Sequence, residues 1–152
     1  MARLAIGVAF LLFGCAARRP VKPRPIPARA KAVVRTARSY LPEENEGRRR
    51  APKDCSDFVD RVFAENGVRL PRTAARMARL GRQVRSTTEL RMGDLVFFSG
   101  ENVGRGVGHV GIYVNNGIFI HVADPKIGAR MESLYSDYYR LRYLTARRVI
   151  GS

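Results

Sequence analysis

The 152-residue sequence has few of the side chains that bind metals or form cross-links, with two cysteines, two histidines and no close-spaced pair among them. It also contains no basic helix with heptads and no aromatic ribonucleoprotein motif. The apolar run at residues 4–14 is too short for a membrane-spanning helix, which needs about 20 apolar residues. Zinc fingers and specific nucleic-acid binding are therefore not indicated, and we expect no cofactor.

Acidic residues are also scarce, since 13 of them stand against 28 lysines and arginines and leave a net charge of +15. Such a balance favours anionic surroundings, namely an acidic cell wall, lipid phosphate or another phosphate polymer. The hydrophobic share of 45% fits a globular protein, and the length allows one compact domain with one core.

The N-terminus has the pattern of a secretory signal, because a basic start precedes the apolar run. Residues 12–15 resemble the lipobox of bacterial lipoproteins, in which Cys15 becomes the lipid-modified first residue. We therefore expect a signal peptide at 1–14 and a basic, proline-rich, lipidated tether at 15–29. This predicts export and anchoring to the cell membrane, or to the outer membrane facing the periplasm in a Gram-negative cell. An ordinary signal peptide cleaved nearby is the alternative.

Lipidation of Cys15 would leave Cys55 as a free thiol in an oxidising compartment, and catalysis would explain that thiol. A Cys15–Cys55 disulfide is the competing interpretation, which the long intervening segment disfavours.

Residues 30–152 are predicted to form the folded domain, with helices first and strands after. We expect helices at 28–41, from Cys55 to about residue 66, and at 71–80, and a charged loop at 42–53. Strands are predicted at 95–98, 109–114, 117–123 and 145–150, with a short helix at 133–139. Residues 115–117 are a hairpin signal. Helices followed by antiparallel strands indicate an α+β fold.

Cys55, His109 and His121 form the candidate catalytic set. Cys55 is predicted to begin a helix, where backbone N–H groups and the helix dipole favour a thiolate and an oxyanion. His109 would act as the base, and His121, across the hairpin, would orient it.

Less specific interpretations stay open on spacing alone. Buried cysteines are commonly inert, and strand histidines are often core residues. One cysteine and two histidines could also bind zinc, although this set lacks the close-spaced ligand pair of structural sites.

Several motifs in order resemble the NlpC/P60 family of cell-wall cysteine peptidases. They lie at residues 54–59, 66–73, 92–98, 108–114, 119–123 and 146–150. The resemblance covers about residues 30–150 and is strongest to the lipoprotein murein endopeptidases. It implies a papain-like α+β fold, with N-terminal helices packed on an antiparallel sheet, that cleaves peptide bonds in peptidoglycan stem peptides or cross-links. Cys55 would be the nucleophile, His109 the base and His121 the third polar residue, with no metal.

The sequence departs from the family pattern at two places near Cys55. Asp57 stands where the family usually has glycine, and its carboxylate could raise the thiol pKa or contact a basic substrate group. The Tyr-x-x-Gly-Gly stretch that usually precedes the cysteine is missing, and Tyr40 lies too early to replace it. A catalytically impaired peptidoglycan-binding or regulatory lipoprotein of the same fold is therefore the alternative function. A basic polyanion-binding lipoprotein without catalysis is a third.

Overall fold

A computed structural model describes residues 25–45, 47 and 49–151. The predicted signal peptide and Cys15 lie outside the described residues. The elements in chain order are α1 (Ala28–Arg38), α2 (Pro42–Asn45), α3 (Cys55–Glu65), α4 (Ala74–Met77), β1 (Arg82–Val84), a 3-10 turn (Thr87–Glu89), β2 (Leu95–Ser99), β3 (Val107–Asn115), β4 (Ile118–Val122), β5 (Ala129–Ser133), α5 (Asp137–Arg142) and β6 (Tyr143–Arg148).

The strands form one antiparallel sheet in the order β1-β6-β2-β3-β4-β5. Helices α1, α3 and α4 all contact β3, and α5 contacts β2. The predicted α+β fold with N-terminal helices on an antiparallel sheet is confirmed.

Both faces of the sheet are covered, which explains why β2 is apolar at nearly every position. Leu95 and Phe97 pack with Phe58 of α3 in the larger core cluster, on one face. Phe98 packs with Tyr139 of α5 in a second cluster, on the other face. The sheet therefore separates the helix that carries Cys55 from the helix that carries Tyr139.

A buried ion pair joins β6 to the segment before β2. The Arg148 guanidinium donates to the two carboxylate oxygens of Asp94 over 2.7 and 2.6 Å, and also to the Glu89 carbonyl over 2.8 Å. The two side chains are 5% and 2% exposed. The Arg91 N–H donates a further hydrogen bond to Asp94. Both carboxylate oxygens of Asp94, and the Nε and Nη2 groups of Arg148, are thus hydrogen-bonded within the protein.

The two ends of the described chain meet at one pole of the domain. A side chain added at Gly151 would lie 3.4 Å from Pro27, and both residues line one groove together with Asn115. Asn115 ends β3, whereas His109 lies near its start. The described chain therefore enters and leaves the domain at the end of β3 opposite to His109.

Several predicted helices and strands have different bounds in the structure. The first helix ends at Arg38. The third covers only Ala74–Met77, and it begins there because Thr73 caps it by accepting a hydrogen bond from the Arg76 N–H.

The C-terminal elements are also shifted from their predicted positions. Residues 129–133 are strand β5, so the predicted helix at 133–139 begins too early, and α5 instead runs over Asp137–Arg142. The last strand is Tyr143–Arg148 rather than 145–150. Strands β1 and β5, and the short α2 within the charged loop, are not among the predicted elements.

None of the helices in the described ranges is long and apolar enough to cross a membrane.

Candidate active site

Cys55 is the first residue of α3, as the sequence predicts, and the helix cap holds it there. The Asp54 carboxylate accepts a hydrogen bond from the Asp57 N–H over 2.8 Å and another from the Ser56 hydroxyl over 2.7 Å. This is the hydrogen-bonding pattern of an N-terminal helix cap. The cap positions the thiol against the sheet at Val110, the residue that follows His109.

The Cys55 thiol is more basic than the helix-start position alone predicts. Burial raises its pKa, and the charge of Asp54 adds to the rise. Hydrogen bonds from the N–H groups of Val110, Ser56 and Cys55 itself oppose the rise without cancelling it. The N–H groups at the helix start favour the thiolate as expected, but desolvation of the sulfur outweighs them, so the thiol pKa lies above its ordinary value.

The two histidines are neighbours, as the hairpin predicts. His109 Nε2 lies 2.8 Å from His121 Nδ1, within hydrogen-bonding distance, and the rings stand nearly perpendicular. His121 is fully buried. Since Nε2 of His109 is occupied by His121, Nδ1 is the ring nitrogen left for a proton transfer. In the described part of the chain no hydrogen bond joins the Cys55 and His109 side chains. Bonds of this kind are often long until substrate binds.

Both imidazoles are neutral at neutral pH. Burial, followed by the positive charge of Arg130, lowers the pKa of His109 to about 4. Burial, followed by the charges of His109 and Arg130, lowers the pKa of His121 to about 3. A neutral imidazole can accept a proton, so His109 is in the state that a general base requires.

Tyr139 extends this row of polar groups, and the sequence analysis missed it. Its hydroxyl lies 3.2 Å from His121 Nε2, and its side chain is buried. Burial raises the Tyr139 pKa, and the Arg130 guanidinium opposes that rise. Arg130 reaches the same place because it is the cross-strand partner of His121. A tyrosine in a predicted helix carried no signal of this contact, which depends on how α5 docks on the sheet.

Asp57, which stands where the family usually has glycine, is hydrogen-bonded and ion-paired within the protein rather than acting on the thiol. Its carboxylate accepts from the Lys53 N–H over 2.8 Å and forms an ion pair with Arg61 over 2.8 Å. Asp54, rather than Asp57, is the carboxylate that raises the thiol pKa. Asp57 therefore fastens the loop ahead of Cys55 to α3.

Tyr40 is also committed elsewhere, because its hydroxyl donates to Glu65 over 3.0 Å and its ring packs on Phe58. Within the described residues, Cys55, His109 and His121 do not form a cluster that could hold a metal ion.

Comparison with known proteins places this geometry in a family. The model of the NlpC/P60 family matches residues 44–148. The chain belongs to the NlpC/P60 family.

Individual relatives agree with this assignment. The chain is 43% identical over 99 residues to the murein DD-endopeptidase MepS/murein LD-carboxypeptidase of Escherichia coli, a match covering 64% of this chain and 50% of that protein. The chain thus spans about half the length of this curated relative. Two crystal structures are similar. One is an NlpC/P60 family protein from Bacillus cereus, with a TM-score of 0.68 and 27% identity over 82% of this chain and 41% of that one. The other is an NLP/P60 family protein from Staphylococcus aureus, described as similar to lipoprotein. It has a TM-score of 0.66 and 28% identity, and the match covers 88% of this chain and 46% of that one.

Proposed function

We propose that this protein is a cysteine peptidase that hydrolyses amide bonds in peptidoglycan stem peptides or cross-links. The observation that carries the proposal is a thiol at a helix start beside the hydrogen-bonded row His109–His121–Tyr139, in a chain of the NlpC/P60 family. The relatives named as murein peptidases support the substrate class.

The reaction follows from the positions of these groups. Cys55 transfers its proton to His109 Nδ1, and the thiolate attacks the substrate carbonyl. The N–H groups of Cys55 and Ser56 at the start of α3 stabilise the resulting oxyanion. His109 then returns the proton to the leaving amine, and water hydrolyses the thioester with His109 again as base.

The buried row of side chains serves to hold His109 in the useful tautomer. A base that uses Nδ1 must carry its own hydrogen on Nε2 and donate it to His121 Nδ1. His121 then carries its hydrogen on Nε2 and donates it to the Tyr139 oxygen. The Arg130 guanidinium beside that oxygen favours its role as acceptor, which keeps the whole row in this direction. Tyr139 is a positioning residue in this scheme.

Tyr139→Phe is expected to lower kcat about tenfold while changing KM little, because it removes the acceptor for His121 and frees the tautomer of His109. Steady-state hydrolysis of a stem peptide measures this. Tyr135→Phe, an exposed tyrosine just before α5, is the matched control. Equal kcat values for Tyr139→Phe and the unaltered protein would contradict the positioning role.

The free protein is expected to hold a neutral thiol and a neutral imidazole rather than an ion pair. The raised thiol pKa means that alkylation of Cys55 by iodoacetamide should keep accelerating from pH 7 to pH 10. The lowered His109 pKa means that kcat/KM should be retained above about pH 4 and lost as pH falls through that value, when His109 becomes protonated. A Cys15→Ser background confines the alkylation to Cys55. A rate plateau between pH 5 and 8 would contradict the neutral pair, since a thiolate–imidazolium pair reacts without further ionisation.

The test of the function is digestion of purified peptidoglycan by the protein, with mass spectrometry of the released peptides. New termini at stem-peptide or cross-link amide bonds are the expected result. Binding to peptidoglycan without any released peptide would instead identify the impaired, binding-only protein.

We further propose that the chain is exported and anchored through lipid on Cys15, with the residues between Cys15 and α1 as tether. The sequence at 12–15 and the basic, proline-rich composition that follows support this, and the murein relatives fit an envelope location. The net charge of +15 would add attraction to anionic wall or lipid phosphate. Mass spectrometry of the mature N-terminus tests the anchor: a diacylated or triacylated Cys15 is expected. An unmodified Cys15, or a start beyond it, would contradict the lipid.

A further inference from the structure

A cavity of about 170 Å³ opens beside His109, between the ends of β2 and β3 and helix α5. His109 lines it and Cys55 does not. In the proposed reaction the acyl part of the substrate is held on Cys55, whereas the leaving amine takes its proton from His109. A cavity that touches the base but not the nucleophile is therefore positioned for the part of the substrate that leaves.

Arg142 provides a fixed positive charge in the wall of this cavity. Its guanidinium stacks over the Tyr138 ring at 3.8 Å, and it donates to the Tyr138 carbonyl over 3.3 Å. The stacking holds the planar group in one orientation.

Arg142 has no acidic partner among the described residues, unlike its neighbour on the same helix. Arg140, two residues earlier, pairs with Asp137 over 3.2 Å. No carboxylate lies within ion-pairing distance of Arg142 in the described part of the chain, and its buried Nε has no hydrogen-bond partner. A pre-oriented guanidinium without an anion is suited to bind one, and carboxylates match its fork geometry.

Ser99 adds a second unsatisfied group to the same wall. It is 3% exposed, and its hydroxyl oxygen has no hydrogen-bond partner. Buried hydroxyls are usually paired, so an unpaired one at a cavity wall points to a ligand that completes it. Glu101 also lines the cavity, from an exposed loop where solvent screens its charge.

We propose that this cavity is the leaving-group subsite and that Arg142 binds the carboxylate of the amino acid whose amine is released. This rests on the proposed peptidase function and adds to it a substrate requirement, namely a free carboxylate on the leaving residue.

Two stem peptides that differ only in the leaving residue, with a free carboxylate or a carboxamide, test the subsite. The unaltered protein is expected to hydrolyse the carboxylate peptide with a kcat/KM about 10- to 100-fold higher, the range of a charge-assisted hydrogen-bonded contact. Arg142→Gln should lower kcat/KM for the carboxylate peptide to the value for the carboxamide peptide. Arg142→Lys should restore part of the difference between the two peptides. Arg140→Gln, the matched exposed arginine on α5, should keep full discrimination. Glu101→Gln should slightly increase the preference for the carboxylate peptide, because it removes a negative charge that repels the substrate carboxylate.

Binding by a Cys55→Ala protein separates the subsite from the chemistry. Calorimetry with the same two peptides should show at least tenfold tighter binding of the carboxylate form, and adding Arg142→Gln should abolish that preference. Equal affinities for the two peptides would overturn the subsite, whatever the protein hydrolyses. Retained preference in binding, with no hydrolysis when Cys55 is intact, would overturn the peptidase function and leave the subsite standing.

Discussion

Cys55→Ala is expected to reduce release of peptides from purified peptidoglycan by about 10⁴-fold or more, the scale on which a lost nucleophile acts. Cys55 is the thiol at the start of α3, and the N–H groups of Val110 and Ser56 are directed to its sulfur. An alanine there keeps the cap formed by Asp54, since that cap uses no atom of the Cys55 side chain. The loss should therefore appear in hydrolysis and not in the melting temperature.

The control for this result is Cys15→Ala, which changes the other cysteine and should leave hydrolysis by the detergent-solubilised protein intact. His109→Ala should be nearly as damaging as Cys55→Ala. His121→Ala should be milder, because water can replace part of an orienting group. Undiminished peptide release by Cys55→Ala would remove the cysteine-peptidase proposal.

Arg148→Met is expected to lower the free energy of unfolding by about 3–5 kcal/mol, the largest stability effect that we anticipate from one substitution. The change leaves the Asp94 carboxylate buried without its two hydrogen bonds from the guanidinium, and it also removes a donor to the Glu89 carbonyl. Denaturant unfolding followed by circular dichroism measures this difference.

Two comparisons distinguish the lost ion pair from general damage to the sheet. Arg82, the exposed cross-strand neighbour of Arg148, can be changed to Met with an expected effect within about 0.5 kcal/mol. The double variant Asp94→Leu with Arg148→Met removes both charges and should recover much of the loss, because no unpaired charge remains buried. A double variant as unstable as Arg148→Met alone would show that packing, rather than the charge, determines the cost.

The pairing of the histidines could be predicted from sequence because a hairpin relates them through local geometry. The Asn116-Gly117 turn has the positive φ angles that such a connection requires. Counting outward from the turn places His109 and His121 on adjacent strands. In the structure Nε2 of His109 lies 2.8 Å from Nδ1 of His121. The start of α3 was predictable for a similar reason, since a capping aspartate directly precedes an apolar stripe.

Elements without an apolar pattern could not be predicted. Strand β5 is an edge strand in which only Ala129 is buried, and its arginine and glutamate give no strand signal. Its pairing with β4 is non-local, yet it is what brings Arg130 to His121. The position of Tyr139 depends in turn on the docking of α5, so the outer half of the row of polar groups had no signature in the sequence.

The protonation state of the thiol was beyond sequence reasoning for a different reason. The helix start and the burial of Cys55 act on its pKa in opposite directions, and their balance depends on how closely β3 covers the sulfur. The sequence shows only the first of these effects.

Pro27 and Gly151 meet at one pole of the domain, and the proposed catalytic residues lie at the other. Six residue steps of β3 separate Asn115, at the first pole, from His109, a length of about 20 Å. If the preceding segment is attached to a lipid surface, the attachment point and the catalytic end lie on opposite sides of the molecule. The domain would then face away from the lipid and toward the wall polymer, without needing to turn over to reach its substrate.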